Sequence, residues 1–508
     1  MQHKKITLVF VHGWSVTDTD TYGGLPERLQ IEAVNAGLEL EIKQIFLGRY
    51  ISFHDEVTLQ DISRAFAAAV EDELSASLSN NNRFVCITHS TGGPVIRDWW
   101  SRYYNNPAKK NICPMSHLIM LAPANYGSAL AQLGKGRLSR MKFWFGGVEP
   151  GQGVLDWLEL GSQESWQLNQ DWITREQDPI GAKGIFPFVV TGQSIDHAVY
   201  DHLNTYTGET GSDGVVRVAA ANLQGQYIKL SQQFPEQDKQ SGDLSAAKLE
   251  IDSYHAAPDS ALCIIKNKSH SGRKMGIMRS VKKQVSDKSS QDTVEAILSC
   301  IKVSSKQQYN RLSQIFAQKN HTVQKQQQLE VVQHLLHRNS YFIHDKYSML
   351  IFRVCDHQGF AVKDYDLLLT AGDESNPSHL PRGFFQDKQR NIKNPETISY
   401  YFNHDIMRGC EEIVDKQGKV VREKFIGIKK LGLKIIPRPS NGFVHYLPCE
   451  ITATSELLEK ALRANSTTLI EICLQRVVYK NVMRLDKGVK SKSFKKVKAD
   501  GDIVDSNY

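Results

Sequence analysis

Along residues 1–290, short runs of β-branched and other apolar residues alternate with longer segments whose apolar positions recur at helical spacing. The runs Ile6–Val11, Arg83–Thr88, His117–Leu121, Phe186–Thr191 and Ala261–Lys266 predict strands, and their alternation with helical stretches predicts a mostly parallel sheet covered by helices. Leu59–Leu74 predicts the helix crossing over to the Arg83 strand, because Ile62, Phe66, Ala69, Val70 and Leu74 fall on one side. Between Asn125 and Ile185 the strand pattern stops, and four of the seven tryptophans appear there: Trp144, Trp157, Trp166 and Trp172. An insertion at residues 126–185 is expected. Its basic, glycine-bearing start at Gly134–Arg140 precedes Met141, Phe143, Trp144 and Phe145, a composition that suits either a mobile amphipathic lid or a helical cap packed on the core.

The texture then changes twice. Residues 291–338 are rich in Gln and Lys, with apolar residues at helical intervals, and predict one or two connecting helices. From 339 to 485, the runs Tyr347–Val354, Asp366–Thr370, Thr397–Phe402, Gly432–Ile436 and Thr468–Tyr479 are rich in β-branched and aromatic residues. Gly, Pro, Asn and Asp separate them, which predicts a mainly antiparallel β domain. A basic tail, 486–508, closes the chain. The whole reads as a catalytic domain over 1–290, a helical connector and a C-terminal β-rich domain.

Composition narrows the class. A chain of 508 residues with 41% hydrophobic and 23% charged residues is that of a folded globular protein, too long for one ordinary core. No apolar run approaches the roughly 18 to 20 residues that cross a bilayer. Ile6–Val11 is too short for a secretory leader and runs straight into His12 and Gly13, so the expected location is the cytoplasm of the producing cell. The eight cysteines have no paired spacing and read as reduced, mostly buried thiols. The net charge of +7 is modest, and much of it sits at Lys487–Lys498. That run has only Phe494 within it and no recognisable module around it, so no nucleic-acid partner is expected.

The chemistry centres on Ser90. Arg83-Phe84-Val85-Cys86-Ile87-Thr88 runs as an apolar strand into His89-Ser90-Thr91-Gly92-Gly93, a small-residue turn opening a helix through Val95, Ile96 and Trp99. Ester hydrolysis by a serine needs its oxygen held clear of the backbone on a sharp turn, with glycine nearby so that neighbouring elements can approach. The usual spacing is Gly-x-Ser-x-Gly; Thr88 replaces the first glycine and Gly92 keeps the second. The competing role for Ser90 is to cap the following helix. For the acid the choice is Asp213, within Gly211-Ser212-Asp213-Gly214-Val215-Val216, with Asp196 and Asp201 as rivals and an Asx-turn as its structural alternative. For the base it is His270, in the loop beyond the Ala261 strand, with His255 and His197 as alternates. The order serine, acid, histidine suits a nucleophile activated through an oriented imidazole. The oxyanion donors would be the N–H groups of Trp14, in the turn after the first strand, and Thr91. His12 and His89 are assigned structural or orienting roles. The reaction calls for no metal or organic cofactor.

His12-Gly13-Trp14, Thr88-His89-Ser90-Thr91-Gly92-Gly93, the segment Leu121-Ala122-Pro123-Ala124-Asn125-Tyr126-Gly127-Ser128-Ala129-Leu130-Ala131 and the Asp213 loop together resemble the landmarks of lipases and phospholipases of the α/β-hydrolase superfamily. The match extends over roughly the first 280 residues. It implies an α/β-hydrolase core with a helical lid or cap insertion, a lipid or phospholipid substrate at a membrane surface and a Ser-His-Asp triad. In plan, the chain is also similar to lipase effectors delivered by bacterial type VI secretion systems. That resemblance implies an antibacterial toxin secreted into target cells, an immunity protein and a secretion-apparatus partner. Two other readings stay open: a hydrolase of small soluble esters or thioesters, and a non-catalytic hydrolase fold used as a binding scaffold.

Overall fold

The computed structural model describes residues 4–12, 20–51, 56–75, 78, 82–105, 112–134, 151–195, 209–233, 247–332, 340–441, 443–453 and 460–478. Its first sheet contains β1 (Lys4–His12), β2 (Leu38–Phe46), β3 (Phe84–His89), β4 (Met115–Leu121) and β5 (Phe186–Thr191). The chain then forms a hairpin, β6 (Gln226–Gln233) and β7 (Lys248–Ala256), before returning to that sheet as β8 (Ala261–Ile264). The order is β2-β1-β3-β4-β5-β8, and every pairing is parallel. All five predicted strands are present. β2, a half-exposed edge strand, is not among them, although Leu38, Leu40 and Ile42 alternate with Glu39, Glu41 and Lys43 at strand spacing.

Helices cover this sheet. Alongside α1 (Leu25–Asn35), α2 (Leu59–Ala69) begins at Thr58, whose side chain and that of Asp61 form a reciprocal capping box, and it continues into a wider turn to Leu74. Ile62, Phe66, Ala69, Val70 and Leu74 are all buried, as the spacing predicts. α3 (Gly92–Tyr104) follows β3 directly. Two further helices, Gln291–Ile301 and Lys306–Gln326, occupy the expected connector, but they belong to the core rather than merely linking domains. The Tyr309 hydroxyl accepts from Ala261 N–H at 2.9 Å, and Asn320 accepts from Ile264 N–H at 2.6 Å while donating to Leu262 C=O at 2.8 Å. These side chains satisfy the open edge of β8 as another strand would.

The later strands are β9 (Leu329–Val332), β10 (Ser340–Ile343), β11 (Tyr347–Asp356), β12 (Tyr365–Ala371), β13 (Phe385–Arg390), β14 (Thr397–Asn403), β15 (Ile413–Val414), β16 (Val420–Arg422), β17 (Leu431–Pro437), β18 (Val444–Tyr446), β19 (Cys449–Ala453), β20 (Ser466–Leu474) and β21 (Arg476–Val478). A nine-stranded sheet runs β12-β17-β19-β7-β6-β20-β11-β14-β13. Most of its pairs are antiparallel, but β19–β7, β20–β6 and β11–β20 are parallel. Two of its central strands, β6 and β7, thus come from within residues 1–290, which the sequence reading had placed wholly in the catalytic domain. Locally these strands look like any others; their sheet is set by partners more than two hundred residues away, such as Thr468 opposite Gln226. All eight cysteines are unpaired, five of them buried. Among the described residues no helix is long and apolar enough to cross a membrane. The basic tail lies outside the described residues.

Candidate active site

Ser90 sits where β3 gives way to α3, in the left-handed backbone region at φ +54°. For a residue with a side chain this conformation costs roughly 1–2 kcal/mol. Hydrogen bonds hold it there: Ser90 N–H donates to Leu121 C=O at 3.0 Å, and Ser90 C=O accepts from Gly93 N–H at 3.2 Å and Ala124 N–H at 3.3 Å. The residue at the N-cap is Thr91, so capping is not the role of Ser90. Both neighbouring glycines sit in close quarters. A Cβ on Gly93 would stand 2.7 Å from Pro123 Cβ, and one on Gly92 would stand 3.1 Å from Thr88 Cβ. The second contact explains the departure from the usual spacing: a threonine fits at position 88 because position 92 has no side chain.

His270 approaches from the loop after β8. Its Nε2 lies 3.1 Å from Ser90 Oγ, and its Nδ1 lies 3.0 Å from Asp213 Oδ2. His270 and Asp213 are fully buried, while Ser90 is partly open to solvent. The Asx-turn alternative for Asp213 turns out to coexist with the acid geometry. Asp213 Oδ1 accepts from Val215 N–H at 3.1 Å and Val216 N–H at 2.8 Å, leaving Oδ2 for the imidazole. A further tie runs from His270 N–H to Asp213 C=O at 2.9 Å. Since Nδ1 faces a carboxylate, the proton belongs on Nδ1 and the Nε2 lone pair faces the serine.

His89 supports the base from behind. Its Nε2 lies 3.0 Å from His270 C=O and its ring centroid 4.7 Å from that of His270. Burial, and then the neighbouring His270, pushes its pKa down to about 3, so it stays neutral and donates this bond from Nε2. His12 stacks on Phe46 at 4.4 Å and reaches Gln44. Thr91 is buried, and as the residue preceding α3 its backbone stands at the positive end of that helix. Its proposed partner Trp14 lies outside the described residues, as do Asp196, His197 and Asp201. His255 is on β7 of the second sheet, opposite Tyr227, and is not brought to Ser90. Of the insertion, Trp157, Trp166 and Trp172 are buried on helices Gln152–Leu158 and Gln163–Ile173, as a fixed cap requires. Met141, Phe143, Trp144 and Phe145, on which the lid expectation rests, lie outside the described residues.

The Leu121–Ala131 segment proves to be structural support for the site. Pro123 packs on Gly93, Tyr126 N–H donates to Ala220 C=O at 3.0 Å, and Ser128 Oγ donates to Val215 C=O at 2.6 Å, bracing the loop that carries Asp213. The sequence reading missed a second brace: buried Arg217, paired with Glu209 and with Asp387 of β13. No local pattern joins residues that far apart in the chain. Among the described residues no cluster of histidine, cysteine and carboxylate side chains is suited to a metal ion.

The sequence matches no known family profile and no curated protein. Among solved structures, "Phospholipase PlaB from Legionella pneumophila" superposes with a TM-score of 0.82 at 40% identity, covering 96% of this chain and 97% of that one. The same Legionella protein "in complex with thio-NAD" superposes with a TM-score of 0.81 at 40% identity, covering 96% of this chain and 98% of that one. Neither match bears on type VI delivery or on an immunity protein.

Proposed function

The chain belongs to the phospholipase PlaB family and is a lipid ester hydrolase with an α/β-hydrolase core; within that activity, we propose that it cleaves phospholipid acyl esters through Ser90, His270 and Asp213. The observation that carries this reading is the unbroken chain of contacts from Asp213 Oδ2 through both imidazole nitrogens to a serine held at positive φ. As Ser90 Oγ bonds to the acyl carbon, His270 Nε2 takes the hydroxyl proton, and Asp213 stabilises the imidazolium that forms. The tetrahedral intermediate collapses by breaking the bond to the glycerol oxygen, which leaves with the proton from Nε2. Water then attacks the acyl-enzyme by the same proton path and releases the fatty acid, restoring Ser90. Developing charge on the carbonyl oxygen is met by Thr91 N–H and, in this proposal, by Trp14 N–H.

The test is to incubate the full-length protein and Ser90→Ala with phospholipid vesicles and identify the products by mass spectrometry. The wild type should release fatty acid and lysophospholipid, and an organophosphonate should label Ser90. The variant should keep its fold and lose about a millionfold in turnover. Retention of more than about a thousandth of the wild-type rate in a clean preparation would remove Ser90 from the mechanism.

A further inference from the structure

The loop from Glu209 to Arg217 places Asp213, and its most buried attachment leads out of the hydrolase core. Arg217 is fully buried and binds both carboxylate oxygens of Glu209 at 2.8 Å, so one guanidinium ties the two ends of the loop together. Its remaining contacts are on the second sheet. Arg217 donates to Asp387 of β13 at 2.5 Å and lies over the ring of Tyr401 of β14, with the guanidinium carbon 4.1 Å from the centroid. Tyr401 Oη donates to Thr210 C=O at 3.1 Å, and Tyr347 of β11 lies 2.6 Å from Thr210 Oγ1. The loop is pressed closely onto these tyrosines. A Cβ on Gly211 would come within 2.3 Å of Tyr347 and 2.4 Å of Tyr401, and Gly211 has φ +75°.

These contacts come from three adjacent strands, β11, β14 and β13, and they all meet the segment whose backbone sets the direction of Asp213. From Gly211 to Val218 the loop closes on itself, with Val218 N–H donating to Gly211 C=O at 2.9 Å and Asp213 N–H to Val216 C=O at 3.1 Å. The Val215 and Val216 amides that hold Asp213 Oδ1 therefore stand next to Arg217 in a closed, rigid turn. A carboxylate aimed in this way is sensitive to its frame, since displacing a catalytic group by about 1 Å costs about a hundredfold in rate. We infer that the second sheet is part of the catalytic apparatus: Asp387 and Tyr401 hold Arg217, and Arg217 is a positioning residue that aims Asp213 at His270. This inference rests on the proposed triad.

A double-mutant cycle on the full-length protein tests it, with kcat and KM measured on a short soluble ester; active sites are counted by organophosphonate labelling where Asp213 is present, and folded protein by circular dichroism in the Asp213→Asn background. Asp387→Asn should lower kcat about ten- to a hundredfold per labelled site, with KM unchanged. In the Asp213→Asn background the same change should have less than about a twofold effect, because there is no longer an aimed carboxylate to disturb. Tyr401→Phe, which removes one hydroxyl and keeps the ring under Arg217, should give a smaller loss that also vanishes in that background. It serves as the readout if Asp387→Asn does not fold. Arg422→Gln breaks another buried ion pair of the C-terminal half, with Asp345, and is the control: it should lower the melting temperature and leave kcat per site alone.

Wild-type kcat in the folded variants would overturn the inference. So would an equal loss in both backgrounds, or a loss that only mirrors fewer labelled sites. Near-wild-type turnover of Asp213→Asn would instead overturn the triad reading, and this inference with it.

Discussion

Replacing Asp213 by asparagine asks a question that the hydrogen bonds can answer in advance. The carboxylate has two different jobs: Oδ1 receives two backbone N–H groups and Oδ2 receives the imidazole Nδ1–H. An asparagine has one oxygen and one NH2 to fill the same places. If the oxygen faced His270, the NH2 would be driven against the Val215 and Val216 amides, forfeiting two bonds and leaving buried donors unpaired, at about 1–3 kcal/mol each. If the oxygen stays with the amides, only the imidazole contact changes, and the ring can relieve it by moving its proton. The second arrangement wins by several kcal/mol on that reckoning. It presents NH2 to Nδ1, which must then accept, so the proton moves to Nε2 and nothing remains to take the Ser90 proton. Wrong-tautomer enzymes of this type lose about 10,000-fold in kcat, equivalent to about 5.5 kcal/mol of transition-state stabilisation. The assay is kcat on a short soluble ester per mole of folded protein, beside a melting curve. A fall of that order with the fold preserved is the expected result. Retention of more than about a tenth of the wild-type rate would refute the tautomer argument and return the acid role to Asp196 or Asp201.

Three other outcomes are expected. Gly93→Ala forces a methyl against Pro123 and should cost about 1–3 kcal/mol in denaturant unfolding; an unchanged midpoint would mean that α3 does not pack as closely on the Pro123 turn as the 2.7 Å approach demands. His89 has a folded pKa below its unfolded value of 6.5, so its contribution to stability is full above that pH and is lost as pH falls toward about 3. His89→Gln, which can still donate to His270 C=O, should flatten urea-midpoint curves across that window, and equal slopes for variant and wild type would show that His89 is not the titrating group. Replacing Phe143 and Trp144 by serine should depress hydrolysis of vesicles far more than of a soluble ester if these residues form a lid. Equal losses with a large fall in melting temperature would identify them as core.

Much of the catalytic half was legible in the sequence because its signals are local. Ile87-Thr88-His89-Ser90-Thr91-Gly92-Gly93 states in consecutive residues that a strand must turn sharply into a helix, and the buried apolar runs state that their sheet is covered. The choice of Asp213 and His270 followed from chain order and strand-end position, yet only the fold shows them 3.0 Å apart across fifty-seven residues of sequence. It is also the fold that lets Asp213 form an Asx-turn and face the imidazole at once, which no local reading can distinguish from either alone. Sheet membership was beyond local reach. The segments Gln226–Gln233 and Lys248–Ala256 are not among the strands expected from the sequence, and edge satisfaction and burial against β19 and β20 decide that they are strands of the second sheet. For the same reason the pairing of Arg217 with Asp387 is invisible in the sequence: a buried guanidinium requires acceptors, and which carboxylates reach this one is decided by the packing of two sheets.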